Sequence, residues 1–210
     1  MRTTLHRNTL VVIAALFTLM FALPQKAMAQ TKEAYAVRDN AGTITFYYDA
    51  QMATRTGTIA YISDGYYETQ SWLYNSTDIT TAVFDASFAG YAPTSLNEWF
   101  KGMSALTTIK GMEYLNTANV ETMKSMFENC SALQTVDMSH CNTDKLTNIV
   151  AMFKDCSVLQ TVDLTNFGTA LYDMREVFFN CTELTTIYCN NTWTCDLSES
   201  MFDKCYKLKG

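Results

Sequence analysis

This sequence predicts an α/β repeat solenoid, with a parallel sheet on one face, short helices on the other and a small β cap ahead of it. Three observations carry that prediction. One phrase recurs, MFENCSALQTV from Met126 and MFKDCSVLQTV from Met152. Inside the phrase the apolar positions change period, from three or four residues to two. Ahead of the phrase, residues 31–80 lack it and read as strands joined by a turn.

The phrase sets the architecture, because self-similarity at a fixed period is the signature of stacked units. Anchored on its phenylalanine, it occurs at Phe100, Phe127, Phe153, Phe178 and Phe202, spaced 27, 26, 25 and 24 residues apart. A period in the middle twenties is that of leucine-rich repeats, one strand and one helical piece per coil. Seven residues before the anchor stand Val120, Leu146, Leu171 and Cys195; four before it stand Met123, Ile149 and Met174, with Ser198 as the exception. Three after it come Met103, Cys130, Cys156, Cys181 and Cys205. These offsets line one face of a short helix. Leu106, Leu133, Leu159, Leu184 and Leu208 then sit six after the anchor, Ile109, Val136, Val162 and Ile187 nine after, and Met138, Leu164 and Cys189 eleven after. Inward positions two apart among threonine and valine predict a strand. Gly111 is an extra residue in the first unit, which accounts for the spacing of 27 and predicts a bulge. No single unit can bury its apolar side alone, so the coils must stack, with equivalent strands in parallel.

Residues before and after the repeat complete the plan. Phe84-Asp85-Ala86-Ser87-Phe88 stands to Phe100 as the Val162 strand stands to Phe178, so a further strand is expected there. Tyr35-Ala36-Val37, the turn Asp39-Asn40-Ala41-Gly42 and Thr43 to Tyr48 predict a β-hairpin, and Thr56 to Ile62 an added strand. The pairs Tyr47-Tyr48 and Tyr66-Tyr67 are either a binding patch or half-buried strand aromatics. At the amino terminus, Arg2 and Arg7, an apolar run from Thr9 to Leu23, Pro24 and Ala27-Met28-Ala29 have the form of a secretory signal, removed near Ala29. The run is too short and wrongly flanked for a membrane-spanning helix. The expected organisation is therefore a signal peptide over 1–29, a β-rich cap over 30–80, and a solenoid over 81–210 whose last coil stops after Leu208, before its strand. An open last coil would invite pairing with another chain along its edge.

Charge and composition exclude several functions. Of 15 basic residues, Arg2, Arg7 and Lys26 lie in the leader, leaving 12 against 21 acidic residues and a balance of −9. Such a chain is not drawn to nucleic acid by charge. Beyond the leader it has one histidine, His140, which a Cys–His or Ser–His–Asp arrangement would have to use; its place just after a strand predicts a solvent-exposed loop residue. No phosphate-cradling glycine loop and no nucleophile elbow occurs, so no catalytic residue, cofactor or metal is expected. The seven cysteines all take slots that are apolar in sister units, which predicts small buried hydrophobes in reduced form; disulfides between adjacent coils remain open. No C-x-x-C pair supports structural zinc.

The outward strand positions are the binding candidates. Thr108, Thr135, Thr161 and Thr186 form one row, and Lys110, Asp137, Asp163 and Tyr188 the next. Parallel stacking would align both rows on one solvated face, the surface that solenoids use for partners, although the same rows also serve simply to keep a sheet soluble.

Met126-Phe127-x-x-Cys130-Ser131-x-Leu133-x-x-Val136-Asp137-Met138-Ser139, its repeat from Met152, and the intervening Cys141-Asn142-Thr143-Asp144-Lys145-Leu146 resemble the BspA-type leucine-rich repeat family of bacterial surface proteins. The resemblance implies a secreted or surface-displayed bacterial protein that adheres to other proteins, such as host matrix or cell-surface proteins, and it implies no catalytic residue. The alternative is a structural or spacer segment of a larger surface protein, self-associating through the open carboxy-terminal coil. Trp193 and Cys195 depart from the family's Asn-Thr-x-x-Val phrase.

Overall fold

A computed structural model describes residues 31–62 and 76–209; residues 1–29, read above as a secretory signal, and Tyr66-Tyr67 lie outside the described residues. Contacts divide the chain into Met1–Thr31 and Lys32–Gly210, and every described strand lies in the second unit.

Among the described residues, eight strands form two sheets. Strands β1 (Glu33–Arg38), β2 (Thr43–Asp49), β3 (Thr58–Tyr61), β4 (Thr81–Phe84) and β5 (Thr108–Lys110) make a mixed sheet in the order β3-β1-β2-β4-β5. Strands β6 (Thr135–Asp137), β7 (Thr161–Asp163) and β8 (Thr186–Tyr188) make a parallel one. The expected hairpin is β1–β2, in register from Glu33↔Asp49 to Arg38↔Ile44, and the added strand β3 pairs antiparallel with β1. At the turn, Asp39 accepts the Ala41 and Thr43 amides, each at 2.8 Å. β2 then pairs in parallel with β4, which pairs in parallel with β5. Phe46 thereby stacks on Phe84 at 4.9 Å and on Trp99 at 5.6 Å, so the hairpin closes the core at this end. Tyr47 and Tyr48 are half-buried strand aromatics: Tyr47 stacks on Tyr35 at 5.5 Å beneath the Arg55 guanidinium, and Tyr48 lies against Tyr91.

The helices expected around the anchors are not there. Around the anchors the chain runs instead through turns, and the first four hydrogen-bond to the next coil. Phe100 N–H donates to Met126 O at 2.9 Å, Phe127 to Met152 O at 2.8 Å, Phe153 to Val177 O at 2.9 Å and Phe178 to Met201 O at 2.9 Å. The residues two and four before the anchor and two after it do the same: Ser125 to Val150 O, Met123 to Asn148 O, Asn129 to Lys154 O. Donation from alternate residues requires alternating backbone conformations. Glu98, Ser125, Ala151, Glu176 and Ser200, two before the anchors, and Gly102, Asn129, Asp155, Asn180 and Lys204, two after, all have positive φ.

Geometry explains why turns win. Packed helices stand about 8–10 Å apart, whereas strands stand about 4.8 Å apart. The anchor rings stack nearly parallel at 5.3, 5.3, 5.5 and 5.7 Å from Phe100 through to Phe202, a spacing that turns allow and helices forbid. A left-handed residue costs about 1–2 kcal/mol. Each inter-coil hydrogen bond contributes about 1 kcal/mol, and each ring pair adds about 0.5–1.5 kcal/mol beyond its burial. The inward set is as expected: Val120, Met123, Phe127, Cys130 and Leu133 are fully buried, as are their counterparts Ile149, Phe153, Cys156 and Leu159.

Three further expectations are corrected. The strand expected over Phe84–Phe88 ends at Phe84, and Asp85 accepts the Ser87 amide at 2.9 Å to start a 3-10 turn over Ala86–Gly90. Gly111 forms no simple bulge: at φ 73° it opens a 3-10 turn over Met112–Tyr114, and a Cβ there would lie 2.2 Å from Phe84 O. Of the seven cysteines expected to be buried, Cys189 is exposed and Cys195 and Cys205 are half-buried; Cys189 follows β8, beyond which no strand among the described residues packs.

Candidate functional site

The eight outward residues fall into two groups. Thr135, Thr161 and Thr186 are in register across β6–β7–β8, as are Asp137, Asp163 and Tyr188. Thr108 and Lys110 pair with Thr81 and Val83 of β4 and do not continue those rows, because β5 and β6 belong to different sheets. The single aligned face expected from stacking is split between the first and second coils.

Local hydrogen bonds show what the aspartates already do. Asp137 accepts the Ser139 amide at 2.9 Å, and Asp163 accepts the Thr165 amide at 3.0 Å. Both repeat the Asp85–Ser87 bond, so aspartate, any residue, then serine or threonine is a turn former that ends the strand. The Ser139 bonds hold the Asp137 carboxyl below its usual range, with a further contribution from nearby His140. The first coil has Lys110-Gly111-Met112 where this device belongs. There the chain takes another turn, with Gly111 passing close to Phe84 O, and β5 does not pair with β6, whereas β8, which also lacks the aspartate but has no extra residue, still pairs with β7.

The break opens a cleft of about 420 Å³ between β5 and β6. Ile109, Met112 and Val136 give it apolar surface; Thr107, Thr108 and Thr135 supply hydroxyls; Glu113 and Asp137 supply carboxylates, and the His140 imidazole lies beside them. His140 is an exposed residue after a strand, as the sequence indicates, but it lies at this cleft rather than in an indifferent loop. Sequence reasoning missed Glu113 and the cleft. Their signal was the missing Asp-x-Ser/Thr in the one unit that carries the extra residue.

The cysteines form no such site. All seven are free, and Cys130, Cys141, Cys156 and Cys181 are buried. Their column is more than apolar filling. The thiols of Cys130, Cys156, Cys181 and Cys205 donate to the carbonyls of Phe100, Phe127, Phe153 and Phe178 in the preceding coil, each at 3.0 Å. Burial raises the Cys130, Cys156 and Cys181 thiols and pushes Cys141 up to about 12, so they stay protonated and unreactive. Among the described residues, no group of three or more His, Cys, Asp or Glu is placed to hold a metal ion, and no helix is long and apolar enough to cross a membrane.

The fold and this face define a leucine-rich-repeat-like solenoid whose polar strand face is interrupted once. Residues 94–210 match the family described as Mycoplasma protein of unknown function, DUF285, and the chain belongs to that family. In fold it is similar to the crystal structure of the T. pallidum leucine rich repeat protein, at 15% identity over 84% of this chain and 88% of that one, with a TM-score of 0.43. No curated protein matches it in sequence.

Proposed function

We propose that this is a secreted or surface-displayed bacterial repeat protein that binds other proteins through its strand face. The observation that carries the reading is the register of Thr135, Thr161 and Thr186 beside Asp137, Asp163 and Tyr188, an ordered polar surface with Thr135, Asp137 and Tyr188 exposed. The resemblance of the repeat to BspA-type surface proteins supports adhesion as the purpose of that binding, and the amino-terminal signal pattern supports export.

Because Asp137 and Asp163 end their strands, charge reversal would disturb folding as well as binding. The informative variant is Asp137→Asn with Asp163→Asn, which keeps an acceptor for the Ser139 and Thr165 amides and removes two charges. The full chain and this variant are compared by surface plasmon resonance on a panel of immobilised matrix proteins. Binding at least tenfold weaker with an unchanged unfolding midpoint supports the face; unchanged binding rules it out.

A second reading is assembly through the last coil. Phe202 is 44% exposed whereas Phe100, Phe127, Phe153 and Phe178 are fully buried, and Ile187, Cys205 and Leu208 beside it are half-buried. Sedimentation at rising concentration tests it. A dimer abolished by Phe202→Glu would favour assembly, and a monomer throughout would discard it.

A further inference from the structure

We propose that the cleft between β5 and β6 receives an extended, cationic peptide segment of a partner protein, which adds to the free strand edges and seats a lysine or arginine between Glu113 and Asp137. This rests on the reading that the protein binds other proteins, and it names the place and the chemistry.

The first support is the pair of open edges. β5 is hydrogen-bonded to β4 alone and β6 to β7 alone, so each turns an unpaired edge toward the cleft. An unpaired edge is a template for an added strand, with main-chain hydrogen bonds giving affinity and alternate side chains giving selectivity. The edges belong to the interior of a stack, where every other neighbouring pair of coils from β4 to β8 is joined.

The second support is that the opening is built in. On the opposite side the same two coils are held together: Gly102 N–H donates to Glu128 O at 2.8 Å, the Cys130 thiol donates to Phe100 O at 3.0 Å, and the Phe100 and Phe127 rings stack at 5.3 Å. On the strand side, β5 stays paired with β4 from Thr81↔Thr108 to Val83↔Lys110, and the backbone at Gly111 then passes close to Phe84 O. The coils are therefore fixed at one side and apart at the other, with Ile109 half-buried where Val162, flanked by strands on both sides, is fully buried.

The third support is charge. The carboxylates of Glu98 and Glu128 pair with Lys101, Glu176 with Lys154, Asp173 with Arg175 and Glu183 with Lys207. Glu113 and Asp137, like Glu121, Asp144 and Asp163, form no such ion pair, and of these it is Glu113 and Asp137 that line the cleft. Two carboxylates without an ion-pair partner beside apolar Ile109, Met112 and Val136 suit a strand that offers a cationic side chain and an apolar one in alternation.

The test uses the full chain, immobilised, and a library of capped heptapeptides with random flanks and a central Lys, Arg, Gln or Glu. Central Lys and Arg are expected to be retained at least tenfold over central Glu. Methylating alternate backbone nitrogens of the best peptide is expected to abolish retention. Glu113→Gln is expected to weaken it about tenfold, and amide exchange at Thr108–Lys110 and Thr135–Asp137 to slow on binding. Deleting Gly111 should let β5 join β6 and eliminate retention; should that variant fail to fold, Thr108→Trp fills the cleft instead. The proposal is overturned by equal retention of all central residues, by indifference to methylation, by retention that survives Thr108→Trp, or by uptake of neutral oligosaccharides in place of peptides. Matrix-protein binding that withstands Glu113→Gln and Thr108→Trp, yet is lost in the Asp137→Asn, Asp163→Asn pair, removes the cleft and leaves the binding face standing. Binding that withstands all of these removes both.

Discussion

The turn side and the strand side of the first two coils are built from the same stretch of chain, yet one is continuous and the other is open. On the turn side, Glu98, Phe100 and Gly102 all donate to the next coil, and the anchor rings stack without interruption to Phe202. On the strand side, β5 and β6 lie in different sheets, and the chain leaves β5 through the Gly111 turn. A solenoid with two independent ladders can lose one locally and stay assembled by the other. That redundancy is what lets a repeat protein open a cleft in its own face without unfolding.

The largest expected effect comes from breaking the continuous side. Phe153→Ala removes a fully buried ring stacked between two others and should destabilise the fold by about 3–5 kcal/mol, measured by denaturant unfolding. Phe202→Ala, 44% exposed, should cost no more than about 1 kcal/mol. Next comes the hinge of the open side. Gly111→Ala places a Cβ 2.2 Å from a backbone oxygen at φ 73° and should cost about 2–3 kcal/mol. Gly102→Ala, at φ 76° but with nothing within 4 Å, should cost only the left-handed penalty of about 1 kcal/mol.

Alkali should act more gradually, through the thiols. Burial raises Cys130, Cys156 and Cys181 and lifts Cys141 from 9.0 to about 12. Well below pH 9 these thiols are protonated folded or unfolded, and their contribution stands in full. Above it the unfolded chain releases protons that the folded chain keeps, so stability falls as pH rises toward the folded values. Urea midpoints at pH 8, 9.5 and 10.5 should decline in that order; a flat series would place the thiols in water.

The smallest effect has the most telling sign. Ala151 is buried with φ 54°, so Ala151→Gly should stabilise by about 0.5–1 kcal/mol. In a helix the same change would destabilise by about 1 kcal/mol. Thermal unfolding of this one variant therefore separates hydrogen-bonded turns from the helices that the spacing suggests.

Much of the fold was legible because burial follows side-chain identity. The phenylalanine anchors, the leucines six residues on and the inward Val136 and Val162 lie where the recurring phrase puts them, and so does the hairpin, whose turn is written in Asp39-Asn40-Ala41-Gly42. The turns were written less plainly, in the column Gly102, Asn129, Asp155 and Asn180, residue types that tolerate positive φ and that a helical reading passes over. Of the candidate face, the sequence supplied Thr135, Asp137, Thr161, Asp163, Thr186 and Tyr188 in correct order, but not the separation of Thr108 and Lys110 from them.

By itself the sequence determined which residues face the core, the number of repeated anchors and the polarity of the strand face, because these depend on period and side-chain chemistry alone. The tertiary structure decided the rest. Whether an apolar stripe of period 3.6 becomes helix or turn depends on the distance to the neighbouring coil, and here 5.3 Å ring stacking selects turns. Two strands of the same phrase, β5 and β6, do not pair, and that break, beside the close approach of Gly111 to Phe84 O, shows only in the assembled stack.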